Sequence, residues 1–245
     1  MHRFARLRRG LGAALMVLAG LPALTFAAPT AVERVQIQAT RATGSLMLVR
    51  GEGFQPDHLQ RLKEDLQALE KAVLLLGPDE SLRLRYLALM EQIHEGVAFG
   101  PGEENMPWRY PEALSQALRD FLQALRAHPQ ATPAELAAKI EYLAVQYLAR
   151  AYFGAFEIAR EQPNTYLGQD ERTLVPAIDE ELTALAAHKP DEARQLRVRW
   201  NYLRNAFIDM NSLSNAQVSQ SGRPFAPLAI DRHTRALSEQ WMALE

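Results

Sequence analysis

The chain has 245 residues, with 27 Lys and Arg against 29 Asp and Glu, and no Cys. The lack of Cys excludes a disulfide framework and thiolate catalysis. A mildly acidic balance excludes the basic footprint of a nucleic-acid binder and the polybasic patch of a membrane-surface protein. The length suffices for an unstapled core of one or two domains.

The chain opens on an export signal. The first ten residues carry Arg3, Arg6, Arg8 and Arg9 without an acid, Leu11 to Leu24 is apolar, and Thr25-Phe26-Ala27 is a small-x-small site. That layout predicts a cleavable signal peptide over residues 1–27, cleaved after Ala27, and a periplasmic or secreted mature chain. The apolar run is shorter than the roughly 20 residues of a spanning helix. No membrane span is predicted after cleavage. Losing four Arg leaves 23 basic against 29 acidic side chains, a net charge of −6.

A first helix is predicted from near Val32 to the break at Gly51-Glu52-Gly53 and Pro56. Its Arg41-Ala-Thr-Gly-Ser-Leu-Met stretch puts small residues on one side, where a second helix can approach closely. Leu59, Leu62, Leu66, Leu69 and Val73 step by three and four and predict the next helix. Gly77-Pro78 then turns into a helix marked by Leu82, Tyr86, Leu89 and Ile93. A long loop from Gly100 to Pro111 precedes a fourth helix.

His128-Pro129 to Pro133 divides the chain into halves, 28–128 and 129–245. Thr132, Pro133 and Glu135 form a helix N-terminus signature. The helix they start is predicted to run from Pro133 to Arg160, roughly 28 residues or ~42 Å. Aromatic groups on several of its sides make it a central element. Lys189-Pro190 leads into Leu196, Trp200, Leu203, Phe207 and Met210, again one helical face, and a loop through Ser219 to Pro224 follows. No stretch alternates long enough for a strand. The predicted fold class is all-α, an up-and-down helical bundle.

The halves resemble each other. Pro78-Asp79-Glu80 returns as Pro190-Asp191-Glu192, and Arg83-Leu84-Arg85-Tyr86 as Arg197-Val198-Arg199-Trp200. Leu89 and Leu203 then share a core register, and Leu118, Ala124 and Leu125 match Leu237, Ala243 and Leu244. The prediction is two related four-helix units, joined through the long shared helix near 133–160.

Catalytic signals are missing. None of the six His falls in HExxH or HxH spacing, and GxSxG, SxxK and phosphate-cradling glycine loops do not occur. No metal, cofactor or catalytic residue is therefore assigned. Glu64-Asp65 and Asp179-Glu180-Glu181 read as solvated helix faces.

The remaining candidates are binding groups. Arg41 and Arg50 on the first helix, with Gln146 and Arg150 on the long one, suit a small anion if the helices face each other. The alternative for each Arg is a structural salt bridge. Trp108-Arg109-Tyr110 and Arg223-Pro224-Phe225 set aromatics beside Arg in loops. Such loops form partner surfaces or fold back to plug the end of a bundle.

Val145-Gln-Tyr-Leu-Ala-Arg-Ala-Tyr-Phe, the break near Pro163, the Pro-Asp-Glu turn and the helix carrying Trp200 make a further pattern. It resembles the PilJ-type periplasmic helical sensor domain of type IV pilus chemotaxis transducers and nitrate-sensing kinases. Gln146, Arg150, Ala151, Tyr152 and Trp200 carry the likeness, which covers about half the chain. Where that family has a longer glutamine-arginine-methionine run, this chain has Ile140-Glu-Tyr-Leu-Ala-Val-Gln-Tyr. The resemblance implies a free-standing sensor-like domain.

The combined expectation is a non-enzymatic exported module that binds a small ligand or an envelope protein, as a monomer or a homodimer. The alternative is a structural or accessory protein docking on a pilus, secretion or other envelope assembly.

Overall fold

Thr30 starts the first helix, α1 (Ala31–Gly51), its side chain accepting the Glu33 N–H at 3.1 Å. The computed structural model describes residues 30–133, 135–154, 166–210 and 226–243. All eight extended elements among them are α-helices, with no strand. The all-α expectation holds. The signal segment, Arg223 and Phe225 lie outside the described residues.

Pro56 opens α2 (Pro56–Leu76), and Gly77, at φ 86°, ends it in a conformation that side-chain-bearing residues avoid. Asp79 caps α3 (Glu80–Ala98) by accepting the Leu82 N–H at 2.9 Å. A short 3-10 turn, Glu103–Asn105, lies in the loop before α4 (Tyr110–Arg126). The second half holds α5 (Leu136–Tyr152), α6 (Glu171–His188), α7 (Pro190–Asp209) and α8 (Pro227–Met242). Both Pro turns sit where the sequence places them, between α2 and α3 and between α6 and α7.

Two boundaries differ from expectation. The central helix α5 has 17 residues and stops at Tyr152, because Gly154 turns at φ 79° and its carbonyl accepts a hydrogen bond from Arg150 Nη1 at 2.7 Å. Its start lies at Leu136, beyond the Thr132-Pro133 signature. The Glu135 side chain makes no cap, since its carboxylate is taken by Gln36 and Arg126.

α1 and α5 form the centre of the molecule and are buried almost all round. They run parallel: Gln36 reaches Glu135, Arg41 reaches Glu141, and Glu52 Oε1 accepts from the Tyr152 hydroxyl at 2.5 Å. Small residues allow the approach. A Cβ on Gly44 would stand 3.1 Å from Leu148 Cδ1, and one on Gly51 would enter the Tyr152 ring.

Around this pair α2 lies along α1 and α8 along α5, while α3 packs on α4 and α6 on α7. One apolar cluster, including Leu46, Leu89, Phe121, Leu143, Trp200 and Leu237, draws on both halves. Each such buried Leu or Phe contributes about 1.5–3 kcal/mol. No helix among the described residues is long and apolar enough to cross a membrane.

Candidate functional site

The most polar part of the interior lies where α1, α2, α5 and α8 meet. Arg41 is 7% exposed. Its Nε donates to Glu141 Oε1 at 2.8 Å, Nη2 to Ser238 Oγ at 2.7 Å and Nη1 to Glu239 Oε1 at 3.3 Å. One turn away, Arg235 clasps Asp65 with both Nη atoms at 2.9 and 2.7 Å, and Nε donates to Asp231 at 3.0 Å. Ser45 donates to Asp65 at 2.5 Å, and Arg61 pairs with Asp231 at 2.7 Å.

Three guanidinium groups thus meet the buried carboxylates of Asp65, Glu141 and Asp231, with Glu239 at the rim. Burial disfavours the Arg235 cation, but its hydrogen bonds to Asp65 and the charges of Asp231 and Asp65 outweigh it and hold its pKa above the usual arginine value. The network is close to charge-balanced. It ties helices together across the two halves of the chain.

This placement corrects one reading and redistributes others. Asp65, read as part of a solvated face, is buried at the centre of the network, because the α2 face that carries it turns toward α1 and α8. Asp179 likewise accepts the Trp200 indole N–H at 2.7 Å and Arg204 Nε at 2.8 Å.

Arg41 and Arg150, expected as a pair, sit at different levels. In the parallel register Arg41 is beside Glu141, whereas Arg150 lies about two and a half turns further along. Arg50 donates to the carbonyls of Gly96 and Gly100 at 2.6 and 3.0 Å, fastening the end of α3. Gln146 Nε2 donates to the Gln169 carbonyl at 2.7 Å. Arg150 Nε is buried with no hydrogen-bond acceptor among the described residues.

Arg235, Asp231 and Ser238 were not singled out from sequence. The available signal was their spacing of four and three residues, which aligns polar groups on one face of α8.

A second polar cluster closes the start of the α1/α5 pair. Glu33, buried beside the α5 N-terminus, faces the backbone N–H groups of Ala137 and Ala138. Burial pushes its carboxyl up to about 7, and the neighbouring charges of Glu135 and Glu181 add to the effect. Arg126 pairs with Glu135 at 2.8 Å. No group of His, Asp and Glu among the described residues has the arrangement of a metal site.

On the surface, the Trp108-Arg109-Tyr110 element splits. Tyr110 folds inward, donating from its hydroxyl to the Gln92 carbonyl at 2.7 Å and packing edge-on against Phe99, so it is a plug and offers no partner surface. Trp108 stays outside at 79% exposure, with the Arg109 guanidinium over its ring at 4.6 Å. Between α7 and α8 runs an open groove of about 700 Å³ whose walls include Val198, Tyr202 and His233.

Compared with known proteins, the chain matches no family model, no curated protein and no solved structure.

Proposed function

We propose that the chain is an exported, non-enzymatic helical module of the periplasm or cell exterior that acts by binding a protein partner at its surface. The observation that carries this is the outward Trp108 with Arg109 stacked on it, beside a Tyr110 that is fully committed to the core. Exposed Trp and Arg are the residue types that dominate partner hot spots. The polar interior adds support from the other side, since the donors of Arg41 already meet Glu141, Ser238 and Glu239.

The resemblance to PilJ-type sensor domains agrees with a binding role, and the export signal with its place. The element order, four helices twice over with a Pro turn opening α3 and α7, favours an origin by duplication. The parallel α1/α5 pair then joins two related units.

A photo-crosslinking residue at position 108, expressed in the producing cell, tests the proposal. A discrete crosslinked protein that is lost on Arg109→Ala supports it. Reaction of the residue at position 108 with solvent alone, with no protein product, counts against it.

A second reading, a small anion held at Arg150, rests on the buried Nε without an acceptor. A thermal-shift screen with nitrate, phosphate and acetate tests it. A shift that disappears in Arg150→Ala favours the reading; none with any anion removes it.

A further inference from the structure

The α7/α8 groove is built from two helical faces. Val198, Arg199 and Tyr202 line it from α7, and His233 and Ala236 from α8. The Tyr202 and His233 rings meet at 4.6 Å toward one end, and Gln240 bonds Gln195 at 3.2 Å toward the other. Val198 is 71% exposed and Tyr202 48%. Apolar side chains are thus held open to solvent in a concave strip about two helical turns long.

The charge at this strip is unusual for a protein whose mature balance is acidic. Arg199 and Arg232 are both exposed, and neither has an ion-pair partner among the described residues. No carboxylate among the described residues lines the groove. His233 is pushed below its ordinary value, first by partial burial and then by the charges of Arg232, its neighbour on α8, and of Arg199, which lines the groove.

The expected internal repeat accounts for Arg199. In the first half, the counterpart of Arg199 is Arg85, which pairs with Asp120 on α4 at 3.7 Å. In the second half, the position matching Asp120 is Glu239, whose carboxylate is drawn to Arg41. Arg199 is thereby stripped of its internal partner. The same chemistry is closed in one half and open in the other.

We infer that the α7/α8 groove docks an acidic amphipathic helix of a partner protein, with apolar side chains against Val198 and Tyr202 and carboxylates against Arg199 and Arg232. The inference rests on the binding-module reading and names the chemistry of its partner. Helix-in-groove docking needs an apolar strip of about this length, with anchors at i, i+3 or i+4, and i+7. The exposed guanidinium groups supply register and favour carboxylates over other partners.

The test uses the mature chain and a fluorescein-labelled peptide of about 14 residues, four helical turns, with Leu at i, i+3, i+4 and i+7 and Glu elsewhere. Its control replaces every Glu by Lys. Anisotropy should show the acidic peptide binding at least about tenfold more tightly than the basic one, with affinity falling as salt rises. Arg199→Ala with Arg232→Ala should weaken it by about tenfold, Tyr202→Ala should weaken it as well, and Arg85→Ala should not. All these positions are exposed, and unchanged melting of the variants shows that the fold is intact.

Equal binding of both peptides, or indifference to Arg199 and Arg232, overturns the inference. A dimer in sedimentation that dissociates on Arg199→Glu also overturns it, by giving the groove to a second copy. If crosslinking at position 108 captures a partner while the peptide fails, the groove assignment falls and the binding-module reading stands.

Discussion

Arg235 on α8 grips Asp65 on α2 through two hydrogen bonds, at 2.9 and 2.7 Å, across 170 residues of chain. The same guanidinium reaches Ser45 on α1 at 2.9 Å, so one side chain fastens three helices. Buried ions of this kind are stabilising only while every partner is present, because each lone charge left behind is desolvated without compensation.

Removing one member should therefore be costly. Arg235→Ala or Asp65→Ala is expected to lower stability by about 3–5 kcal/mol in urea unfolding. The double change Arg235→Ala with Asp65→Ala should lower it by less than the two single changes added together. Additive losses would show that the contact is not a coupled pair.

Glu33 predicts a pH dependence. With its carboxyl raised to about 7 by burial, the folded chain keeps a proton that the unfolded chain releases near 4.5. The contribution of this group is fully present below the unfolded value, is lost as pH rises to about 7, and stays lost above it. Glu33→Gln should flatten that slope and melt at a higher temperature than the parent at pH 8. The gain is at most about 3 kcal/mol. Identical pH profiles for parent and variant would contradict the assignment.

Close helix packing predicts intolerance at two glycines, Gly51 on α1 and Gly96 on α3. A methyl group at Gly51 would run into the Tyr152 ring, and one at Gly96 into Tyr110 and Leu46. Gly51→Ala and Gly96→Ala should each destabilise by about 1–3 kcal/mol through overpacking. Gly53→Ala at the neighbouring turn meets no atom and loses only its favourable positive φ. Thermal melts of the three variants would rank them.

Asp179 predicts a spectroscopic signature. It accepts from both Trp200 Nε1 and Arg204 Nε, so Asp179→Ala leaves a buried indole donor unpaired, at a cost of about 1–3 kcal/mol. Trp200 emission should shift in a background where Trp108 and Trp241 are both Phe, and Asp179→Asn should recover part of the loss. Unchanged emission would mean that the indole finds another acceptor.

Helix type and the Pro turns were legible because they depend on local facts. Apolar spacing of three and four residues defines a buried face, and Pro and Gly interrupt the backbone wherever they stand. The close approach on α1 was legible too, since Gly44 and Ser45 leave room that only another helix fills. By contrast, the end of α5 was not legible, because aromatic residues continue the helical spacing past Tyr152 while Gly154 turns the backbone at φ 79°.

The candidate sites were legible only as residue types. A sequence marks Arg41 and Arg150 as two cations on two central helices but holds nothing about their relative level. The parallel register, with Gln36 beside Glu135 and Arg41 beside Glu141, decides that. In the same way Asp65 is one acid among many until α2 turns its face toward α8. By itself the sequence determined an all-helical chain with its breaks, and an expected repeat and export signal, because these follow from backbone chemistry and hydrophobic period. Tertiary structure alone decided which charges are spent inside and which, like Arg199 and Arg232, are left facing outward. A charge's partner is set by distance in space, and the residues concerned are up to 198 positions apart along the chain.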